Sequence, residues 1–76
     1  MQILLYKIRK EKKINQEEIA KVIHISKNQY SKKERDEAQF TQDEMFELSN
    51  FFEKPISEIF LPRKSPKWEL HKNKQN

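Results

Sequence analysis

Leu4, Leu5 and Ile8 are spaced as one face of a helix and the following Lys10-Glu11-Lys12-Lys13 is polar, so the pattern predicts a first helix over about residues 2–12. Ile14 pins the turn that follows. Asn15 and Glu18 stand three apart, the spacing of a capping box, in which each side chain accepts the other residue's free backbone amide. Behind this cap Ile19 and Ile23 lie four apart with Ala20 beside them, a narrow apolar stripe with one small residue where another element packs closely. Ser26 and Gln29 repeat the box soon after Ile23, which predicts a sharp corner and a third helix over about residues 27–35. Thr41 and Glu44 form a third box, flanked by Phe40 and Met45 at the positions of a hydrophobic staple. Met45, Leu48, Phe51 and Phe52 then give a fourth helix a wide apolar face. Pro55 suits a helix entrance, and Ile56, Ile59 and Phe60 predict a short fifth helix ended by Pro62.

These elements predict an all-α fold of one small domain over residues 1–62, followed by a basic, flexible tail over 63–76 whose apolar content is Trp68 and Leu70. With 0 Cys in 76 residues, no disulfide or cysteine metal cluster staples the fold, and stability must come from helix packing. The longest apolar run near the start, Ile3-Leu4-Leu5-Tyr6, is far shorter than a signal core or a spanning helix, so a soluble, cytoplasmic protein is expected.

Net charge of +4 is modest, but its distribution is not. Residues 1–35 hold 10 Lys and Arg against 4 acidic residues, a net +6; residues 36–62 hold 1 Lys against 7 acidic residues, a net −6; the tail holds 5 against 1, a net +4. Such polarity predicts polyanion binding on one side only.

Between the second and third helices, two axes crossing near a right angle need a small residue at the approach and apolar residues around the turn. Ala20 meets the first need, and Ile23, Ile25 and Tyr30 the second. On the runs "IRKEKKINQEEIA", "ISKNQYSKKERDE" and "ISEIF" the chain resembles the Xre-type, or Cro and lambda-repressor-like, helix-turn-helix family over about residues 3–61. That resemblance implies a compact five-helix domain, a motif at about 16–35, and a third helix lying in the DNA major groove. It also implies a transcription regulator, commonly a repressor or an antitoxin, that binds double-stranded DNA as a homodimer. Where the family has glycine in the corner this chain has His24, and where glycine often ends the third helix it has Asp36; both residue types accept left-handed backbone better than most. Lys33 stands where the family has an apolar residue, and is expected to bury its stem while its ammonium stays wet.

The resemblance carries roles residue by residue. Lys27, Asn28 and Gln29, in the first turn of the third helix, and Lys32, one turn on, are the expected base readers, because Asn and Gln can pair with adenine and Lys with guanine. Gln29 has a competing use in its capping box. Gln16 matches the family's phosphate-anchoring glutamine, and Lys10, Lys13, Ser31 and Arg35 are further phosphate candidates; Asp36 and Glu37 would repel phosphate. Tyr30 is expected in the core. Arg9 and Glu34 match a pair that bridges the first and third helices in the family. Metal and cofactor sites are not expected, since His24 and His71 stand far apart with no supporting ligand spacing, and no nucleophile-base order or glycine-rich phosphate loop points to an enzyme. The alternative reading is a protein-interaction or dimerisation module on the same fold, suggested by the acidic fourth-helix segment with Phe51 and Trp68.

Overall fold

The computed structural model describes residues 1–62, so the expectations for residues 63–76, including Trp68, Leu70 and His71, lie outside the described residues. The described chain is helical, in the order α1 (Ile3–Glu11), α2 (Gln16–Val22), α3 (Lys27–Glu34), α4 (Gln42–Phe52) and a 3-10 turn η1 (Ile56–Glu58).

All three capping boxes form with both halves present. Asn15 caps α2 through Glu18, Ser26 caps α3 through Gln29, and Thr41 caps α4 through Glu44. Each leaves two otherwise orphan amides satisfied, which sets where these short helices begin. Their ends follow a second rule. Lys13 (φ 57), His24 (φ 61), Asp36 (φ 66) and Glu53 (φ 55) are left-handed, one at the end of each helix. At the corner His24 N–H donates to Lys21 O at 3.2 Å and Ile25 N–H to Ala20 O at 3.1 Å, the paired bonds of a Schellman motif, and the same two bonds recur after α1, α3 and α4. A chain with 0 Gly thus terminates all four helices with side chains in a region costing about 1 kcal/mol or more each.

His24→Gly should relieve about 1 kcal/mol of that strain and cost about 0.5 kcal/mol of added unfolded-chain entropy, a net stabilisation of about 0.5 kcal/mol. Little else is lost, since the His24 imidazole is 80% exposed and its Nε2 lies 4.0 Å from Glu47 Oε2. Urea titration of the two proteins checks the sign; a less stable glycine variant would mean that the Glu47 contact outweighs the strain.

The core is Leu5 of α1, Ile19, Ala20 and Ile23 of α2 and its end, Tyr30 of α3, Leu48 and Phe52 of α4, and Ile59 and Phe60 after η1. Ala20, 1% exposed, is the small residue at the corner between α2 and α3. Phe40 and Met45 pack against this core, and Phe40 meets Tyr30 and Phe60 edge to face at 5.9 and 5.1 Å. The predicted fifth helix is instead one 3-10 turn. Between Pro55 and Pro62 the chain must swing both Ile59 and Phe60 inward, and Glu58 N–H to Pro55 O (2.9 Å) with Ile59 N–H to Ile56 O (3.0 Å) makes the tighter coil that does so.

Two tertiary locks were not foreseen. Gln2 is 5% exposed, and its carboxamide donates to Asp36 Oδ1 (3.1 Å) and Leu61 O (3.3 Å) while accepting from Leu61 N–H (2.8 Å). It fastens the start of α1 to the end of α3 and to the segment after η1. Lys33 Nζ does not stay wet: it sits 2.6 Å from Glu44 Oε1, with side chains 14% and 12% exposed, tying α3 to α4. The reason is that Glu44 also accepts Thr41 N–H at 2.9 Å, so the capping box presents a fixed carboxylate where the ammonium emerges.

Candidate nucleic-acid interface

Tyr30 and Glu34, 0% and 1% exposed, lie four apart and turn one face of α3 inward. The exposed arc is left to Lys27, Asn28, Gln29, Lys32 and the C-cap residue Arg35, with Ser31 half-buried at its edge. Lys27, Asn28 and Lys32 have no partner among the described residues.

Beneath that arc Glu34 gathers three helices. Arg9 of α1 grips it through two bonds, Nε to Oε2 at 2.8 Å and Nη2 to Oε1 at 3.0 Å. Tyr30 OH donates to Oε2 at 2.6 Å, and Gln16 Nε2 donates to Oε1 at 3.1 Å. A third Arg9 bond, Nη1 to Ile14 O at 3.0 Å, anchors the guanidinium itself to the turn after α1. Burial works to raise the Glu34 pKa, but the hydrogen bonds from Arg9, Tyr30 and Gln16 and the Arg9 charge outweigh it and hold the carboxyl below its ordinary 4.5. The bond to Glu34 raises Arg9 further, and burial raises the Tyr30 phenol, so the trio stays anion, cation and neutral donor near neutrality.

This state has a pH signature. A carboxyl whose pKa is depressed on folding contributes stability that is full above its unfolded value, here about 4.5, and that is lost as pH falls below it. The urea midpoint should therefore drop on acidification from pH 5 to 3, and Glu34→Gln should be less stable at pH 7 but fall less over that range. Equal slopes for the two proteins would remove Glu34 as a source of the acid sensitivity.

Around the hub runs a polar cleft of about 530 Å³ whose walls include Lys10, Gln16, Lys27, Ser31 and Arg35, with Arg9, Tyr6 and Glu34 also lining it. The structure thus brings together four of the five phosphate candidates with one base-reading candidate, Lys27. Lys13, Asn28, Gln29 and Lys32 do not line the cleft; Lys13 stands at the left-handed end of α1, and the others project from the outer arc of α3. Arg35 also pairs with Glu37 at 3.0 Å, both about half exposed, a bond weak enough to exchange for another anion. Asp36 accepts from Gln2 and pairs with the Met1 amino group at 2.8 Å, so it is neutralised rather than facing outward alone. A separate apolar hollow of about 430 Å³, lined by Phe40, Met45, Ile56, Phe60, Leu61 and Pro62 with Gln2 and Gln39, shares no residue with the cleft. Among the described residues no group of three His, Cys, Asp or Glu is placed to hold a metal, and no helix is long and apolar enough to cross a membrane.

Sequence reasoning missed the second half of this site. Tyr30 was expected in the core and is there, but its hydroxyl is also a ligand of Glu34. Its spacing of four from Glu34 was the available signal.

Two capped helices joined by a tight left-handed corner, the second locked from behind and basic in front, define a helix-turn-helix protein. The helix-turn-helix family profile matches residues 5–59, and the chain belongs to that family, in its Xre or lambda-repressor-like branch. Among solved structures it is similar to a protein described as a transcriptional regulator from Listeria innocua, at TM-score 0.72 and 16% identity, covering 96% of this chain and 75% of that one; at that identity the likeness is one of fold. No curated protein sequence matches the chain. Membership of the family makes it a DNA-binding regulator of transcription in the broad sense.

Proposed function

We propose that the chain binds double-stranded DNA sequence-specifically, with α3 in the major groove, and acts as a repressor by occupying its operator. The observation that carries this reading is the unpaired arc of Lys27, Asn28 and Lys32 on a helix whose other face is held by Tyr30 and Glu34. Lys27 and Asn28 read bases, Gln29 and Lys32 complete the reading row, and Lys10, Lys13, Gln16, Ser31 and Arg35 position the backbone. Gln16 has a second amide hydrogen beyond the one given to Glu34, and that hydrogen serves a phosphate oxygen. Arg9 acts through Glu34, by holding α3 at its angle. The DNA partner also accounts for the expected cytoplasmic location, and neither cofactor nor catalysis is required.

A helix of this length reads few base pairs, so two copies are proposed to bind half-sites about one DNA turn apart. Phe46 and Phe51, 49% and 46% exposed on α4, support a surface for the second copy. Selection from random duplex DNA tests the whole reading: enrichment of paired half-sites supports it, and a flat pool rejects it. On the enriched duplex, Lys10→Ala should weaken binding equally for matched and scrambled sequence and make the salt slope shallower by about 1, the mark of a lost phosphate contact.

A further inference from the structure

The capping box on α3 decides which half of Gln29 faces outward. Ser26 N–H donates to Gln29 Oε1 at 3.1 Å. A backbone N–H can only donate, so the carboxamide cannot be turned round while this bond stands, and the amide nitrogen of Gln29 is the atom left over. Gln29 is exposed, and no bond to that nitrogen exists among the described residues. Adenine in the major groove shows one acceptor and one donor, and a carboxamide reads it with both its atoms; guanine shows two acceptors, N7 and O6. Held this way, Gln29 turns its oxygen back to Ser26 and its donors outward, so it does not offer adenine both atoms side by side.

Its neighbours are alike. Lys27 and Lys32 are exposed ammonium groups without partners among the described residues, and an ammonium also only donates. Of the carboxylates nearby, Glu34 is buried and takes bonds from Arg9, Tyr30 and Gln16, Glu37 is paired with Arg35, and Glu17 belongs to α2, lining the cleft beside Lys27, and not to the row on α3. Asn28 is the one reader whose whole carboxamide is unbonded among the described residues, free to turn donor and acceptor together to one base.

We infer that α3 reads a guanine-rich half-site, in which Lys27, Gln29 and Lys32 face base acceptors and a single adenine is taken by Asn28. This rests on the DNA-reading function proposed above and narrows it to a class of operator. Gln29→Glu separates the reading role from the folding role, because glutamate keeps the oxygen that the box needs while removing both donors. A carboxylate there accepts from cytosine N4 instead.

The test is selection from random duplexes by the wild-type chain and by Gln29→Glu, with thermal unfolding of each as a check on the box. Expected are a wild-type half-site dominated by guanine with one adenine, an unfolding midpoint in the variant no lower than wild type, at least tenfold weaker binding of the variant to the wild-type site, and a change from guanine to cytosine at one position in the variant's own selection. A wild-type half-site in which adenine or thymine fills the positions flanking the Asn28 adenine overturns the inference while leaving sequence-specific binding intact, as does an unchanged base preference in the variant. A wild-type pool with no enrichment overturns both.

Discussion

Arg9→Ala is expected to destabilise the domain by about 3–5 kcal/mol, the cost of leaving a buried carboxylate without its cation. Arg9 and Glu34 are 5% and 1% exposed, so water cannot replace the guanidinium without opening the interface between α1 and α3. A domain of this size has about 5 kcal/mol in all, and the variant should be largely unfolded at 25 °C by far-ultraviolet circular dichroism. Arg9→Lys should recover part of the loss, since an ammonium restores charge without the two parallel bonds at 2.8 and 3.0 Å. The combination Arg9→Met, Glu34→Leu and Tyr30→Phe removes the charges and the phenol together and should fold far better than Arg9→Ala, because apolar replacements of a whole buried network leave little unsatisfied. If Arg9→Ala folds with wild-type stability, Glu34 is not the keystone described here.

Lys27→Ala with Asn28→Ala should leave stability within about 0.5 kcal/mol, as both side chains are exposed and unpartnered. Their effect falls on DNA. Each base-edge contact carries about 1–3 kcal/mol of discrimination, so the double variant should lose about 30-fold or more in affinity for the selected duplex while binding scrambled DNA nearly as before, apart from one lost charge. Fluorescence anisotropy titrations of both duplexes measure this. A parallel loss on both would assign Lys27 and Asn28 to the phosphate backbone.

How much of this was legible depended on distance along the chain. Asn15 with Glu18, Ser26 with Gln29 and Thr41 with Glu44 are local devices, and each forms where its spacing predicts. The left-handed backbone of His24 and Asp36 was foreseeable because a tight exit from a helix needs it and glycine is absent; Lys13 and Glu53 obey the same demand but carry no sequence mark of it. Gln2 and Leu61 are joined across nearly the whole described chain, and Lys33 meets Glu44 only because Phe40 and the capping box turn α4 back towards α3. No spacing rule reaches those pairs. The fifth element failed as a helix for a related reason: its apolar residues were read correctly as core, but two prolines leave too little chain for regular α-turns once Ile59 and Phe60 are buried. At the candidate interface the residue types were readable, whereas the division between cleft and outer arc, and the orientation of Gln29, required coordinates.

The most direct measurement is the ratio of affinities of the unmodified chain for its selected duplex and for a scrambled duplex of equal length and composition, at about 150 mM salt. A base-reading α3 predicts a ratio of about 10³ or more. A ratio near one, with both affinities falling together as salt rises, would show a basic surface that holds DNA without reading it, and would contradict the account.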